Sequence, residues 1–473
     1  MLLSNLNKII KIKKVFNFDK DNKFTSITSN SKLSNFKTIF IYDKNTKVKK
    51  DYVKEAISKK IPAIITNKHL EYISIPQFIV NDINQETEIL LKKIYKNIPH
   101  KIIAITGTNG KTSVVWYISK ILTKLKYNNT TVGTLGCYKN GKKVEDVNLT
   151  TPGYEELYKY GNSIKEKNNI YIFEASSHAL QQNRIRNYPV NIAAITNITN
   201  DHLDFHKNLS EYRKAKIKLF TNHLDNKGFA IINSRIKNTA SLKNKLINRG
   251  IVVKYFGNKN VVCTKKKNFN NLKINKNNYK IKKLKLNTSI ELENLECAIL
   301  CCLVLKINEK KIINSLSFLS KPPGRFQIVN YNKKKSKIII DYAHTPDALM
   351  RTLKSFSSKT LKPKLIFGCG GDRDKNKRKT MGKIANRYSS KVYVTDDNPR
   401  NENPNVIRKN IIKYCPSAIE IANRKTAIKT AIKELNKYEI LIIAGKGHEK
   451  FQLIKNKKYK FDDFKIVKSL ITS

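Results

Sequence analysis

Residues 101–125 read KIIAITGTNGKTSVVWYISKILTKL, and the periodicity of the segment changes in its middle. Positions 102–105 are continuously apolar, the pattern of a strand buried on both faces. Val114, Val115, Ile118, Ile121, Leu122 and Leu125 then recur at helical spacing. Between the two lies Thr106-Gly107-Thr108-Asn109-Gly110-Lys111-Thr112-Ser113. A glycine-rich turn from strand into helix lets backbone N–H groups approach an anion, and the helix N-terminus adds a favourable partial charge. Lys111 can neutralise β- and γ-phosphates, and the Thr112 hydroxyl can ligate Mg²⁺. The general phosphate-loop pattern would carry glycine where this chain has Ile105. A turn made only for packing, however, gives no reason for the adjacent Lys-Thr pair. The stretch predicts a βα unit with a nucleoside triphosphate site.

Outward from this unit the same pattern recurs. Positions 170–173 and 192–195 read as further buried strands, the first ending at Glu174 in YIFEASSHAL and the second leading into TNITNDHLDFH, residues 196–206. Strand ends on the side of the phosphate loop would bring Glu174 and His202 near the γ-phosphate, where a carboxylate and an imidazole could hold a divalent cation. In the last 150 or so residues, four apolar strands each run into a polar motif. These are 337–340 before DYAHTPDA, 365–367 before GCGGDRD, 392–394 before TDDNPR and 440–443 before AGKGHE. In open parallel sheets ligands bind outside the carboxyl ends of the strands, so the four motifs define one crevice. Residues 1–98 mix short β-rich runs, 38–42 and 63–66, with a polar helical stretch, 51–60, and carry no catalytic constellation. Pro322-Pro323-Gly324 marks a boundary, and the Lys/Asn-dense run 264–286 reads as a solvated peripheral segment. The expected fold is α/β in three domains, 1–98, 99–321 and 322–473, the central one a P-loop-like ATPase domain with a parallel sheet and the last Rossmann-like.

The chain has 473 residues, which at roughly 100 to 200 per domain agrees with three domains. Hydrophobic residues make up 40% of it, enough for real cores. The net charge of +57 invites a nucleic-acid reading. Lysine supplies 80 of the 93 basic side chains, with no arginine before Arg184. Nucleic-acid readers lean on the planar guanidinium fork, so biased composition explains the charge better than a DNA groove does. Seven cysteines with no CxxC spacing indicate neither a disulfide framework nor a zinc site. The longest apolar run, 297–305, is too short to span a bilayer, and the start lacks a continuous signal-peptide core. A cytoplasmic protein with no membrane insertion and no specific nucleic-acid partner is expected.

TGTNGKTS, EASSHAL, NITNDHLDFH followed by Tyr212-Arg213-Lys214-Ala215-Lys216, PPGRF, DYAHTPDAL, GCGGDRDKNKR, DDNPR and GKGHE occur in one order from Lys101 onward. In that order the chain strongly resembles the Mur ligase family, ATP-dependent amide-bond ligases that build the peptidoglycan stem peptide. The last three motifs resemble the branch that adds meso-diaminopimelate to UDP-N-acetylmuramoyl-L-alanyl-D-glutamate. The resemblance implies that Gly107, Thr108, Asn109, Gly110, Lys111, Thr112 and Ser113 hold ATP phosphates, and that Asn294, Arg325 and Asp341 face the nucleotide. It assigns Mg²⁺ to Thr112, Glu174, His202 and Lys216, the last as a carbamate. An ordinary lysine with pKa ~10.4 is only about 0.04% neutral at pH 7, so such a carbamate requires burial and nearby cations. Read without the family, Lys216 in YRKAKIKLF is one more solvated helix lysine.

By the same resemblance Thr150, Thr151, Ser176, Gln182 and Arg184 contact the UDP-muramoyl-dipeptide. Where the family shows Asp-Ser-Arg for the uridine end, this chain has Asn30-Ser31-Lys32, and only Ser31 is carried over. Arg373, Asp397, Asn398, Pro399, Arg400, Gly445 and Glu449 are implied to hold diaminopimelate. Chemistry supports this last set independently: diaminopimelate carries a distal carboxylate that lysine lacks, and a guanidinium is its natural bidentate partner. Glu449 could meet an ammonium group. A monomer is the family's usual state. Three rivals are open at this point: a related ligase using L-lysine, a folylpolyglutamate-synthase-like ligase, and a basic nucleic-acid-binding protein.

Overall fold

A computed structural model describes residues 1–45, 50–162, 166, 168–201, 203–266, 269–286, 288–358, 360–455 and 457–472. Among the described residues three large sheets follow one another, together with a small two-stranded hairpin. The first large sheet has five strands in the order Ile12–Phe16, Gln77–Val80, Ile64–Thr66, Thr38–Tyr42, Ser26–Thr28. All its pairings are parallel except that of Ile12–Phe16.

The second sheet has eleven strands, with a parallel centre made of Leu224–Asn233, Val190–Ile195, Lys101–Thr106, Ile170–Glu174 and Asn129–Gly133. Its central strand explains why the run at 102–105 is apolar at every position. Side chains alternate between faces, so Ile102 and Ala104 enter one core while Ile103 and Ile105 enter another. Both faces are covered, as a parallel sheet with crossover helices requires. Helix Lys111–Lys124 buries Val114, Ile118, Ile121 and Leu122 in the second of those cores, beside helix Ser289–Val304. The latter is opened by a capping box: the Glu291 N–H donates to Thr288 Oγ1 at 3.2 Å, and Glu291 Oε2 accepts from the Thr288 N–H at 3.1 Å. This helix contains most of the long apolar run, buried within the core.

The Lys/Asn-dense run departs from its reading as a solvated segment. Val261–Lys265, Asn270–Ile274 and Asn277–Ile281 form an antiparallel extension at the edge of the large sheet. Leu272, Ile274, Ile281, Leu284 and Leu286 from this region are buried in the core. The segment is peripheral but structural, because its sparse apolar residues fall on the inner face while most of its lysines lie outside.

The third sheet has six strands in the order Gln327–Tyr331, Ser336–Asp341, Ile440–Ala444, Lys364–Phe367, Lys391–Val394, Ile419–Glu420, all parallel but the first. The four motif-bearing strands are therefore neighbours with their carboxyl ends on one side. All seven cysteines are buried and unpaired. Among the described residues no helix is long and apolar enough to cross a membrane.

Candidate active site

Strand Lys101–Thr106 runs into helix Lys111–Lys124 through the glycine turn. Gly107 has φ 143°, and a Cβ there would stand 1.9 Å from Thr196 Oγ1, so only glycine fits against the next strand end. That neighbouring strand end clamps the turn. Asn197 Oδ1 accepts from the Asn109 N–H at 2.9 Å, and Thr196 Oγ1 donates to the Asn109 carbonyl at 2.5 Å. Lys111 Nζ donates to the carbonyls of Gly107 at 2.9 Å and Thr108 at 3.0 Å. One of its three N–H groups is left to point elsewhere. Burial lowers the Lys111 pKa, the carboxylates of Glu174 and Asp201 oppose that, and Arg325 adds to it.

Glu174 ends the adjacent strand and is 1% exposed. Its Oε1 accepts from the Thr134 N–H at 2.8 Å, and its Oε2 from Thr112 Oγ1 at 3.0 Å and Thr134 Oγ1 at 3.2 Å. Burial nevertheless raises its pKa, against the lowering pull of Lys111, the Thr134 N–H and Arg325. The positive charge around this carboxylate therefore does not fully offset its desolvation, and a further cation would suit it. Paired with the Thr112 hydroxyl it offers hard oxygen donors of the kind Mg²⁺ takes, one or two carboxylates completed by water and phosphate oxygens.

Lys216, on helix Leu209–Lys218, is also 1% exposed. Its Nζ donates to the Gly107 carbonyl at 2.8 Å and stands 4.3 Å from the centre of the Tyr212 ring. Burial first, then repulsion from Lys111, push its pKa well below the ordinary lysine value, with Asp201 opposing. The sequence-only view of Lys216 as a solvated helix lysine is thus wrong, since its helix face turns inward onto the phosphate loop.

Facing this half are the strand-end loops of the third sheet. Arg400 NH1 donates to the Gly371 carbonyl at 2.9 Å, and the Gly371 N–H donates to the Asn398 carbonyl at 2.9 Å, tying the two motif loops together. Burial and the neighbouring Arg373 lower the Arg400 pKa, opposed by Asp397 and Glu449. Arg373 is exposed at the rim. Glu449 accepts from Asn398 Nδ2 at 2.8 Å. Both halves line a single cleft of about 430 Å³. Arg325 bridges them, reaching Thr112 Oγ1 at 3.4 Å and stacking 4.1 Å from the Tyr342 ring centre.

Residues 105–302 match the Mur ligase middle domain, and residues 324–447 the Mur ligase glutamate ligase domain. A UDP-N-acetylmuramoyl-L-alanyl-D-glutamate--2,6-diaminopimelate ligase of Rickettsia rickettsii is 37% identical over 462 residues, which cover 94% of this chain and 95% of that one. Its namesake from Rickettsia bellii is 38% identical, covering 95% and 96%. The chain belongs to the Mur ligase family. A solved structure of a UDP-N-acetylmuramoyl-L-alanyl-D-glutamate--2,6-diaminopimelate ligase is similar with a TM-score of 0.62 at 26% identity, covering 95% of each chain. MurF from Acinetobacter baumannii shares the fold, with a TM-score of 0.68 at 14% identity over 99% of this chain and 98% of its own.

In this Mur ligase the cleft wall includes Thr108, Asn109, Gly110, Lys111, Thr112 and Ser113, then Glu174, Asn294, Arg325 and Asp341. Thr150, Ser176 and Arg184 join from the central body, and Arg373, Asp397, Asn398, Arg400, Gly445 and Glu449 from the last. Gly107, Thr151, Gln182, Lys216 and Pro399 are not part of the wall. Thr151 is fully buried, its hydroxyl donating to the Glu174 carbonyl at 2.7 Å and accepting from the Ser176 N–H at 2.9 Å. Its own carbonyl accepts from Arg184 at 3.0 Å, and Gln182 accepts from the same guanidinium. Both therefore orient residues that face the cleft. Ser31 lies in the first sheet body and does not line this cleft, its hydroxyl donating to Glu55 Oε2 at 2.7 Å. His202 lies outside the described residues.

Several wall residues were not singled out from sequence. Thr134 anchors both oxygens of Glu174, yet TVGTLG carries no polar pattern that would mark it. Asp201 and His344 stand within NITNDHLDFH and DYAHTPDAL, where placement just after a strand is the signal that marks them.

Proposed function

We infer that this Mur ligase joins 2,6-diaminopimelate, in its meso form, to the D-glutamyl residue of UDP-N-acetylmuramoyl-L-alanyl-D-glutamate at the expense of ATP, in peptidoglycan precursor synthesis. The observation that carries the reading is the shared cleft, with a phosphate loop and a buried carboxylate on one wall and Arg373, Arg400 and Glu449 on the other. The name borne by the relatives supports the same substrates.

A carboxylate is a poor electrophile, so the γ-phosphoryl of ATP moves onto the D-glutamyl carboxylate and gives an acyl phosphate. The Lys111 ammonium and the loop N–H groups take up charge on the transferring group. The diaminopimelate amine then attacks the acyl carbon, and phosphate leaves from the tetrahedral intermediate. Arg184 and Ser176 are assigned to the dipeptide, with Thr150 beside them. Arg400 and Arg373 are assigned to the distal carboxylate of diaminopimelate, and Glu449 to an ammonium. Asn294, Arg325 and Asp341 are assigned to the nucleotide.

Thr112, Glu174, His202 and a carbamylated Lys216 are assigned to Mg²⁺, which when bound supplies charge neutralisation at the phosphates. For the carbamate, the structure offers a lysine held toward the neutral amine that modification requires. We assign residues 1–98 to the UDP end, 99–321 to ATP and 322–473 to the amino acid.

The test is ATP-dependent product formation from the UDP-dipeptide with meso-diaminopimelate, L-lysine and glutamate in parallel. The expected result is product and stoichiometric phosphate with diaminopimelate only. Equal use of L-lysine would remove the role of the two arginines, and turnover with glutamate would favour a folylpolyglutamate-type ligase.

A further inference from the structure

The GKGHE motif contains a cation that the assignments above leave without a role. Lys446 sits between Gly445 and Gly447, both with positive φ, and its side chain is 0% exposed. It does not line the cleft. Its Nζ has three acceptors: Phe451 O at 2.7 Å, Asn398 Oδ1 at 3.0 Å and Glu449 Oε2 at 3.0 Å. An ammonium has three N–H donors, so every one of them is committed.

Two consequences follow for groups that do face the cleft. Asn398 Oδ1 accepts from Lys446 and from the Leu453 N–H at 3.0 Å, which turns Nδ2 of the same amide toward Glu449 Oε2 at 2.8 Å. Glu449 Oε2 is thereby held by two donors, from Lys446 and Asn398. Among the described residues its other oxygen, Oε1, has only the long 3.4 Å contact from the Tyr342 hydroxyl, and the side chain is 30% exposed. A carboxylate has about four lone-pair sites, so Oε1 retains acceptor capacity on the open side.

We propose that Lys446 is a positioning residue for the amino-acid substrate: from behind the cleft wall it fixes the Asn398 amide and one oxygen of Glu449, so that the second Glu449 oxygen is presented to a substrate ammonium. Without the buried cation Glu449 loses one of its two anchors and Asn398 can turn over. The inference rests on the reading that the amino acid binds in this cleft.

The experiment measures steady-state constants for the full-length Lys446→Met and Glu449→Gln variants and their double mutant, with thermal midpoints recorded alongside. The KM for diaminopimelate is expected to rise about tenfold or more in Lys446→Met, the scale of a lost hydrogen bond to a charged group. The KM for ATP should stay within about twofold, because the phosphate loop lies on the other sheet. The double mutant should lose much less than the two single variants together, because Lys446 acts mainly through Glu449.

Additive losses in the double mutant, or KM values for both substrates rising together with a falling thermal midpoint, would make Lys446 a folding residue and overturn the proposal. Should Lys446→Met not accumulate as folded protein, Lys446→Gln, which keeps two donors, is measured in its place with the same criteria. If Glu449→Gln and Arg400→Ala both leave the diaminopimelate KM unchanged, the cleft assignment itself fails. If they raise it while the Lys446 variant does not, only the present inference fails.

Discussion

Arg400 adopts φ 52°, a left-handed conformation uncommon for a side chain without special need. It is held there by the hairpin that follows the last parallel strand: its N–H donates to the Leu453 carbonyl at 3.0 Å, and its carbonyl accepts from the Lys455 N–H at 2.6 Å. The guanidinium is aimed by its backbone and pinned to the Gly371 carbonyl, with other donors left for a carboxylate. Arg400→Ala is therefore expected to lower kcat/KM for diaminopimelate by about 2 to 5 kcal/mol, the usual cost of removing one partner of a close charge pair. Unchanged kcat/KM would refute the assignment. Lys216 makes a contrasting case, since it packs against Gly107 and Tyr212, beside the glycine turn rather than the Arg400 loop. Lys216→Ala is expected to lose at least about a hundredfold in turnover, within the range for removal of one electrostatic element of a transition state. Short-chain carboxylates should restore part of the loss, and bicarbonate should do no better than they do. Full activity without additive would make the lysine a bystander.

At the scale of elements, helix Ser289–Val304 of the central body is apolar along most of its length, packs into the core beside helix Lys111–Lys124 and presents Asn294 to the cleft. Its start depends on the Thr288 and Glu291 box, both residues being buried. Thr288→Ala should cost about 1 to 2 kcal/mol of stability. The matching readout is a lower denaturant midpoint with an unchanged ratio of diaminopimelate to L-lysine use, since the cap hydrogen bonds stay between Thr288 and Glu291. A midpoint within experimental error of the parent would show that the box contributes nothing. The hairpin Phe451–Ile454 with Lys457–Lys460 plays the corresponding part in the last body. Its backbone and side chains reach the Asp397 and Arg400 carbonyls and the Asn398 amide, so the loop of residues 397–400 borrows its order from an element outside the main sheet.

On the scale of the whole molecule, the central and last bodies meet through polar pairs that surround the cleft. Asn109 Nδ2 donates to Asp347 Oδ2 at 3.2 Å, and Arg351 pairs with Glu293 at 2.6 Å. Such a joint suits bodies that close on substrate and reopen, because polar interfaces separate more readily than apolar ones. His344 stands beside this joint, and burial holds its pKa down from 6.5 to about 4, with Lys377 adding to the shift and Asp201 opposing it. An unfolded chain takes up a proton near 6.5 while the folded ring stays neutral until about 4. The contribution to stability is therefore fully present above pH 6.5 and is lost as pH falls toward 4. His448 is depressed in the same direction, to about 3, so it adds a slope of the same sign. His344→Gln should flatten, without abolishing, the fall in thermal midpoint between those pH values. An identical slope in parent and variant would remove His344 from the account.

The amino-acid sequence by itself determined the local units: the strand at 101–106, the glycine turn, the amphipathic helix after it, and the four strand-to-motif junctions of the last third. These are legible because period-two and helical burial, glycine at positive φ and polar residues at strand ends are written within a few neighbouring residues. Only the tertiary structure decided what depends on distant partners. The burial of Lys216 comes from a phosphate loop 109 positions away in sequence, and the anchoring of Glu174 from Thr134 in another strand's loop, 40 positions away. Lys446 was an ordinary motif lysine until its three acceptors came together from two loops. The inner face of the 264–286 run was likewise hidden, because lysine and asparagine outnumber the few leucines and isoleucines that pack. Electrostatic environment and side-chain orientation are set by long-range contacts, and a linear pattern carries periodicity but not the identity of what lies across a cleft.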